Sequence, residues 1–209
     1  MTLSKIKKLS LEFFLLFILF PIILTLKIFI AVKLIISLLA IFYVGFIIHK
    51  TKIKLFKSIQ INWEQHLKRI ALLFCGLIII TSGFLYATTP EKLFYVVLQK
   101  PKLWLAILVV YSLLSVLPQE IIYRSFFFHR YSNLFPNKIL FLFINAIVFS
   151  MGHLFFHDLL VTMLTFVGGF LFAFTFYKSK SLVLVTIEHI IYGCWLFTVG
   201  MGDLLGFPS

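Results

Sequence analysis

Pro118-Gln-Glu-Ile-Ile-Tyr-Arg-Ser-Phe-Phe-Phe-His-Arg-Tyr131 places one carboxylate, two guanidiniums and an imidazole in an otherwise strongly apolar sequence. Read as a helix, it sets Glu120 and Arg124 four residues apart with the acid N-terminal to the base, so that they share a face and can pair. Ile121, Ile122 and Phe126, Phe127 and Phe128 surround that face with hydrocarbon. A charged side chain at the centre of a membrane costs about 2.5–3.5 kcal/mol on insertion scales; such residues face the bundle interior, pair, and mark functional sites. The stretch predicts a helix of a membrane bundle carrying part of a buried polar site.

The rest of the chain fits that reading. Of its 209 residues 62% are apolar, 18% aromatic and only 12% charged, with a mean hydropathy of +1.10. Soluble domains carry about 45–50% apolar and about 25% charged residues. The fold class expected is all-α, a polytopic transmembrane bundle of about seven or eight spans forming a single domain over 1–209, with a motif-bearing core at 103–200. The net charge of +12 belongs to topology and to contacts with anionic lipid headgroups, with no nucleic-acid partner, since no basic run interleaved with exposed aromatics lies outside the apolar segments. Cys75 and Cys194 each lie alone in an apolar run, which excludes a Cys-x2-Cys metal site or a disulfide framework and predicts two small core residues.

Seven spans are expected, at 9–26, 28–48, 69–87, 103–128, 139–156, 159–177 and 182–200. The first follows Lys5, Lys7 and Lys8 as a signal peptide would, but it is too long and bulky and lacks a small-residue cleavage site, so it is read as retained. Pro21 is expected to kink it. Residues 49–68 form the one substantial polar segment, and Glu91–Lys102 has the spacing of a short interfacial helix. The fourth span exceeds what a bilayer needs, which predicts tilt or a break near Pro118. With the N-terminus inside, cytoplasmic segments hold 13 Lys and Arg residues, Lys57 among them, and external segments hold 4, a clear positive-inside asymmetry.

Two further polar islands complete the set. Phe149-Ser-Met-Gly-His153 continues to His157-Asp158, and Glu188-His189 continues to Tyr192-Gly193. An imidazole in such surroundings requires a hydrogen-bond partner or a metal, and Glu188 at that depth must be paired or protonated. At about 1.5 Å per residue, Glu120 and His189 lie roughly 12 and 11 Å from the inner ends of their helices, and His153 about 21 Å from its own. Asn145, on roughly the same face as His153, is read mainly as interhelical glue. Tyr123, Tyr192 and Phe126 to Phe128 are read as packing, and His129, Arg130 and Tyr131 as snorkelling at the inner interface.

The ordered set Glu120-x3-Arg124, Phe149-x3-His153 and the late intramembrane His189 resembles the family that includes the CAAX prenyl endopeptidases and bacterial bacteriocin-processing or self-immunity proteins. The resemblance covers roughly 103–200. It implies an intramembrane endopeptidase in the bacterial inner membrane, N-terminus cytoplasmic, acting on a peptide or membrane protein among lipids. Its catalytic residues are Glu120, Arg124, His153 and His189, with Gln119, His157, Glu188, Asn145 and Gly193 in supporting positions. Two chemistries stay open. In one, His153 and His157, spaced i and i+4, join His189 or Glu120 around a zinc ion that activates water. In the other, without metal, Glu120 and His153 polarise water while His189 donates to the oxyanion.

Two positions depart from the family pattern. The first acid of its Glu-Glu-x3-Arg motif is Gln119, which cannot take a proton, and the Asn four residues after the late His is Gly193. Either Glu120 does that work, or the chain is an inactive relative acting as an interaction or immunity factor. A transporter is less expected, because no paired broken helices in matching halves are visible.

Overall fold

The computed structural model describes residues 2–56 and 60–206; Lys57, counted above among the cytoplasmic charges, lies outside them. Among the described residues seven helices are long and apolar enough to cross a membrane, α1 (Leu3–Thr25), α2 (Ile30–Lys50), α3 (Trp63–Thr88), α5 (Pro101–Tyr131), α6 (Lys138–Phe156), α7 (Leu159–Ser179) and α8 (Leu182–Val199), with a short helix α4 (Tyr95–Gln99) between the third and fourth of these. No strand occurs among them. The protein is an integral membrane protein built as a polytopic helical bundle.

The ends of these helices follow local chemistry. Asn62 caps α3 by accepting from the Gln65 amide at 3.1 Å, so that the helix begins at Trp63, six residues before the hydrophobic run expected to begin it, and Asn137 and Ser181 cap α6 and α8 in the same way. Each cap satisfies a donor that the first helical turn leaves orphaned. The expected interfacial helix over Glu91–Lys102 is broken. Phe94 adopts φ 56° while its amide donates to the Val199 carbonyl at 3.1 Å, and Lys100 is held out of the helical region by Pro101.

Both helix-interior prolines are met by a widened turn. Pro21 follows a π-helical stretch at Leu15–Leu19, and Pro118 follows one at Tyr111–Val116. Proline removes one amide donor and crowds the carbonyl four residues back; a π turn relieves both. The break expected near Pro118 does not occur, and α5 continues through a second π stretch, Ile121–Phe126.

The contacts divide the chain into two compact units, one of residues up to 55 with 121–174, the other of 56–120 with 175 onward. In the first unit α1 packs with the second half of α5 and with α6, and α2 packs with the second half of α5. Phe17, 2% exposed, meets the rings of Tyr123, Phe127 and Tyr131 edge-on at centroid distances of 5.6, 5.2 and 5.7 Å. Lipid tails are as apolar as the helices, so packing of this kind replaces the hydrophobic effect as the adhesive. Each aromatic pair contributes about 0.5–1.5 kcal/mol beyond its area. Gly169 lets α7 approach α6, since a Cβ there would meet the Ala146 backbone at 3.2 Å.

In the second unit α8 packs against α3 and the first half of α5. Tyr111, Ile107, Val116 and Phe197 form its core, and Trp195 and Trp104 donate to Thr81 and Thr198 at 2.9 and 3.0 Å. Cys194 lies 3.8 Å from Ser112 Oγ within this unit, as a core position predicts. Cys75 does not: it lies on an exposed face of α3.

Candidate active site

Glu120 and His189 meet in the second unit. Glu120 ends the single α turn that separates the two π stretches of α5 and is fully buried; His189, on α8, is 6% exposed. His189 Nδ1 lies 2.8 Å from Glu120 Oε1, at hydrogen-bond distance. The equal depths expected for them on separate helices are thus realised as a direct hydrogen bond. A buried acid and imidazole so joined form a unit that can take up a proton at one atom and stabilise the resulting charge at the other. π turns are often found at functional sites, and here they set the rotation of Glu120 about α5.

Tyr111, 8% exposed, packs edge-on against the His189 ring with centroids 6.1 Å apart. Its hydroxyl fills the space above Gly193, where a Cβ would lie 2.0 Å from it. Position 193 is thus glycine because a tyrosine from α5 occupies the volume a side chain there would need. Gln119 is turned to its own helix, its Nε2 donating to Ser115 Oγ at 3.0 Å.

Glu188, also fully buried, is paired, as its depth required. Arg69 Nη2 donates to its Oε1 at 2.9 Å, Arg69 also donates to the Thr175 hydroxyl, and the Tyr192 hydroxyl lies 3.2 Å from the same Oε1 and from the Ile70 carbonyl. Tyr192 is therefore part of a polar network, beyond the packing role expected of it. Arg69 was legible only as a charge at the start of a hydrophobic run; its signal was the unpaired Glu188.

The other predicted residues belong to the first unit. Arg124 is fully buried. Its Nη1 donates to Asn145 Oδ1 at 2.6 Å, and its guanidinium lies over the Phe149 ring at 4.8 Å. Asn145 in turn donates to the Tyr123 carbonyl at 2.8 Å, so the interhelical role read for it is the one it plays. His153 Nδ1 donates to the Phe149 carbonyl at 2.8 Å. A neutral ring held this way presents Nε2 as an acceptor.

The spacing of His153 and His157 does not place them on successive α-helical turns. The α-helical part of α6 ends at Met151, a 3-10 turn spans Leu154–Phe156, and His157 is exposed at φ 55°. Asp158 caps α7 by accepting from the Val161 amide at 2.8 Å. Among the described residues no group of three or more His, Cys, Asp or Glu side chains is placed to hold a metal ion.

Arg130 also departs from expectation. Instead of snorkelling, its Nε and Nη2 donate to the two oxygens of Glu12 at 2.7 and 2.6 Å, and Tyr131 and Tyr43 add hydroxyl donors at 2.8 and 2.7 Å.

No curated protein and no solved structure matches the chain. Residues 101–195 match the family described as type II CAAX prenyl endopeptidase Rce1-like, a family of proteases, and this match over the segment that carries all three motifs bears out the chain's resemblance to the CAAX-protease-like membrane proteins.

Proposed function

We propose that the protein is an intramembrane endopeptidase in which Glu120 and His189 activate water. The observation that carries this reading is the 2.8 Å hydrogen bond between two buried ionisable groups on separate apolar helices, within the segment matched by a protease family. As water oxygen adds to the substrate carbonyl carbon, Glu120 takes the water proton; it returns that proton to the amide nitrogen as the C–N bond breaks. His189 holds the carboxylate in one orientation and bears the compensating charge. General base catalysis of this kind contributes about 10²–10⁴-fold. Glu120 thereby does the work of the acid that Gln119 replaces. Arg124 and His153 enter the proposal through motif order; their neighbours Asn145 and Phe149 fix their orientation.

The substrate class proposed is a peptide bond of a membrane-associated peptide or protein, prenylated or not. The Lys and Arg asymmetry supports a cytoplasmic N-terminus, and the resemblance supports the bacterial inner membrane.

One observation favours a second reading. Gln119 has no proton to exchange and is engaged by Ser115, as suits a non-catalytic member acting through binding, in membrane interaction or self-immunity. The purified, detergent-solubilised protein incubated with a library of membrane and prenyl peptides, beside Glu120→Gln and His153→Ala, separates the two. Cleavage abolished in Glu120→Gln supports the peptidase; folded wild-type protein that cleaves nothing supports the binding role.

A further inference from the structure

We infer that the Tyr111 hydroxyl is the hydrogen-bond donor that stabilises the oxyanion in this site, filling the volume that a side chain at Gly193 would need. The inference rests on the peptidase reading. Position 193 follows His189 by four residues on α8 and so shares its face. Whatever fills the space at 193 lies next to the imidazole, and in this chain the occupant is the Tyr111 Oη, 2.0 Å from where the Cβ would be.

The phenol is held there by two contacts. Its ring is edge-on to His189 at 6.1 Å and edge-on to Phe197 at 4.7 Å. His189 is in turn hydrogen-bonded to Glu120 at 2.8 Å. The π stretch at Tyr111–Val116 begins at this residue, so the widened turns of α5 position the donor as well as the base.

The chemistry balances without moving the phenol proton. Water oxygen bonds to the carbonyl carbon, the C=O π pair moves to oxygen, and the water proton goes to Glu120. Tyr111 donates a hydrogen bond to the new oxyanion and keeps its proton throughout. When the C–N bond breaks, the oxygen pair re-forms C=O and the bond to Tyr111 weakens. A donor that strengthens only as charge develops raises kcat and leaves ground-state binding nearly unchanged.

The test uses the full-length protein in detergent with a cleaved peptide and its phosphinate analogue, whose tetrahedral anion mimics the intermediate. Tyr111→Phe is expected to lower kcat about 10²–10³-fold, the usual effect of losing one oxyanion donor, with KM and melting temperature little changed, and to weaken the phosphinate but not the peptide. Gly193→Asn alone is expected to lower the melting temperature through its clash with Tyr111. Adding Tyr111→Ala is expected to relieve that clash and to recover turnover above Tyr111→Ala alone, because the amide then occupies the donor position. Wild-type kcat and phosphinate affinity in Tyr111→Phe, in a preparation whose parent cleaves, would overturn the inference and leave the peptidase reading standing. A folded parent that cleaves nothing would overturn both.

Discussion

Glu120 and His189 show how a hydrophobic helix tolerates an ionisable side chain. Each alone would leave a polar group in hydrocarbon at a cost of a few kcal/mol; at 2.8 Å the Glu120 Oε1 and His189 Nδ1 atoms satisfy one another. Replacing Glu120 with Gln keeps the volume and a hydrogen-bonding group, so the protein is expected to fold while hydrolysis falls at least 10²-fold, as measured by initial rates and circular dichroism on the same sample. Gly193→Ala probes the space rather than the chemistry. A methyl 2.0 Å from the Tyr111 hydroxyl forces α8 or the ring to shift, and overpacking of this kind costs about 1–3 kcal/mol, visible as a lower melting temperature. The similar depths of Glu120 and His189 were legible in the sequence; their hydrogen bond was not, because the partner that spacing suggested for Glu120 was Arg124 on the same helix. The position of Tyr111 was not legible either, since only the assembled helices show which ring fills the space beside Gly193.

Helix ends decide what the hydrophobic runs leave open. At the C-terminal end of α5, Glu12 from α1 receives four hydrogen bonds from Arg130, Tyr131 and Tyr43, joining α1, α2 and α5. Removing Glu12 takes away the charge-assisted acceptors of a half-buried guanidinium and two hydroxyls. Glu12→Ala is therefore expected to destabilise the protein by about 1–3 kcal/mol, in a chemical or thermal unfolding series. A second tie links the segment before α4 to the residues after α8: Lys92 pairs with Asp203, whose carboxylate raises the lysine above its ordinary value of 10.5. A raised folded-state value means that this contribution is complete below pH 10.5 and is lost as pH rises through the folded value above it. Melting temperature should fall in that window, and Lys92→Met should flatten the fall. Glu12 and Arg130 escaped the sequence reading for a physical reason. Near the ends of apolar runs snorkelling is the default for a long cation, and only tertiary packing reveals that a carboxylate lies within reach. Interior boundaries were likewise hidden where a side-chain cap at Asn62 or a left-handed Phe94 overrides hydropathy.

For the molecule as a whole, composition and seven apolar runs were enough to establish the helical membrane class, because a bilayer admits few other structures for such a chain. The Lys and Arg asymmetry extends this to orientation: a reporter fused at the N-terminus is expected to read as cytoplasmic, and a protease-accessible external N-terminus would reverse the topology. The local geometry of His153 and His157 was less legible. The i and i+4 histidines 153 and 157 suggest a ligand pair only if the α-helix continues, and it stops at Met151. The central claim, that the buried acid on α5 hydrolyses a peptide bond, is tested most directly by kcat/KM for one identified scissile peptide with the wild-type protein and Glu120→Gln. A ratio of at least 10²-fold between two equally folded proteins is expected. Equal rates would show that Glu120 takes no part in hydrolysis.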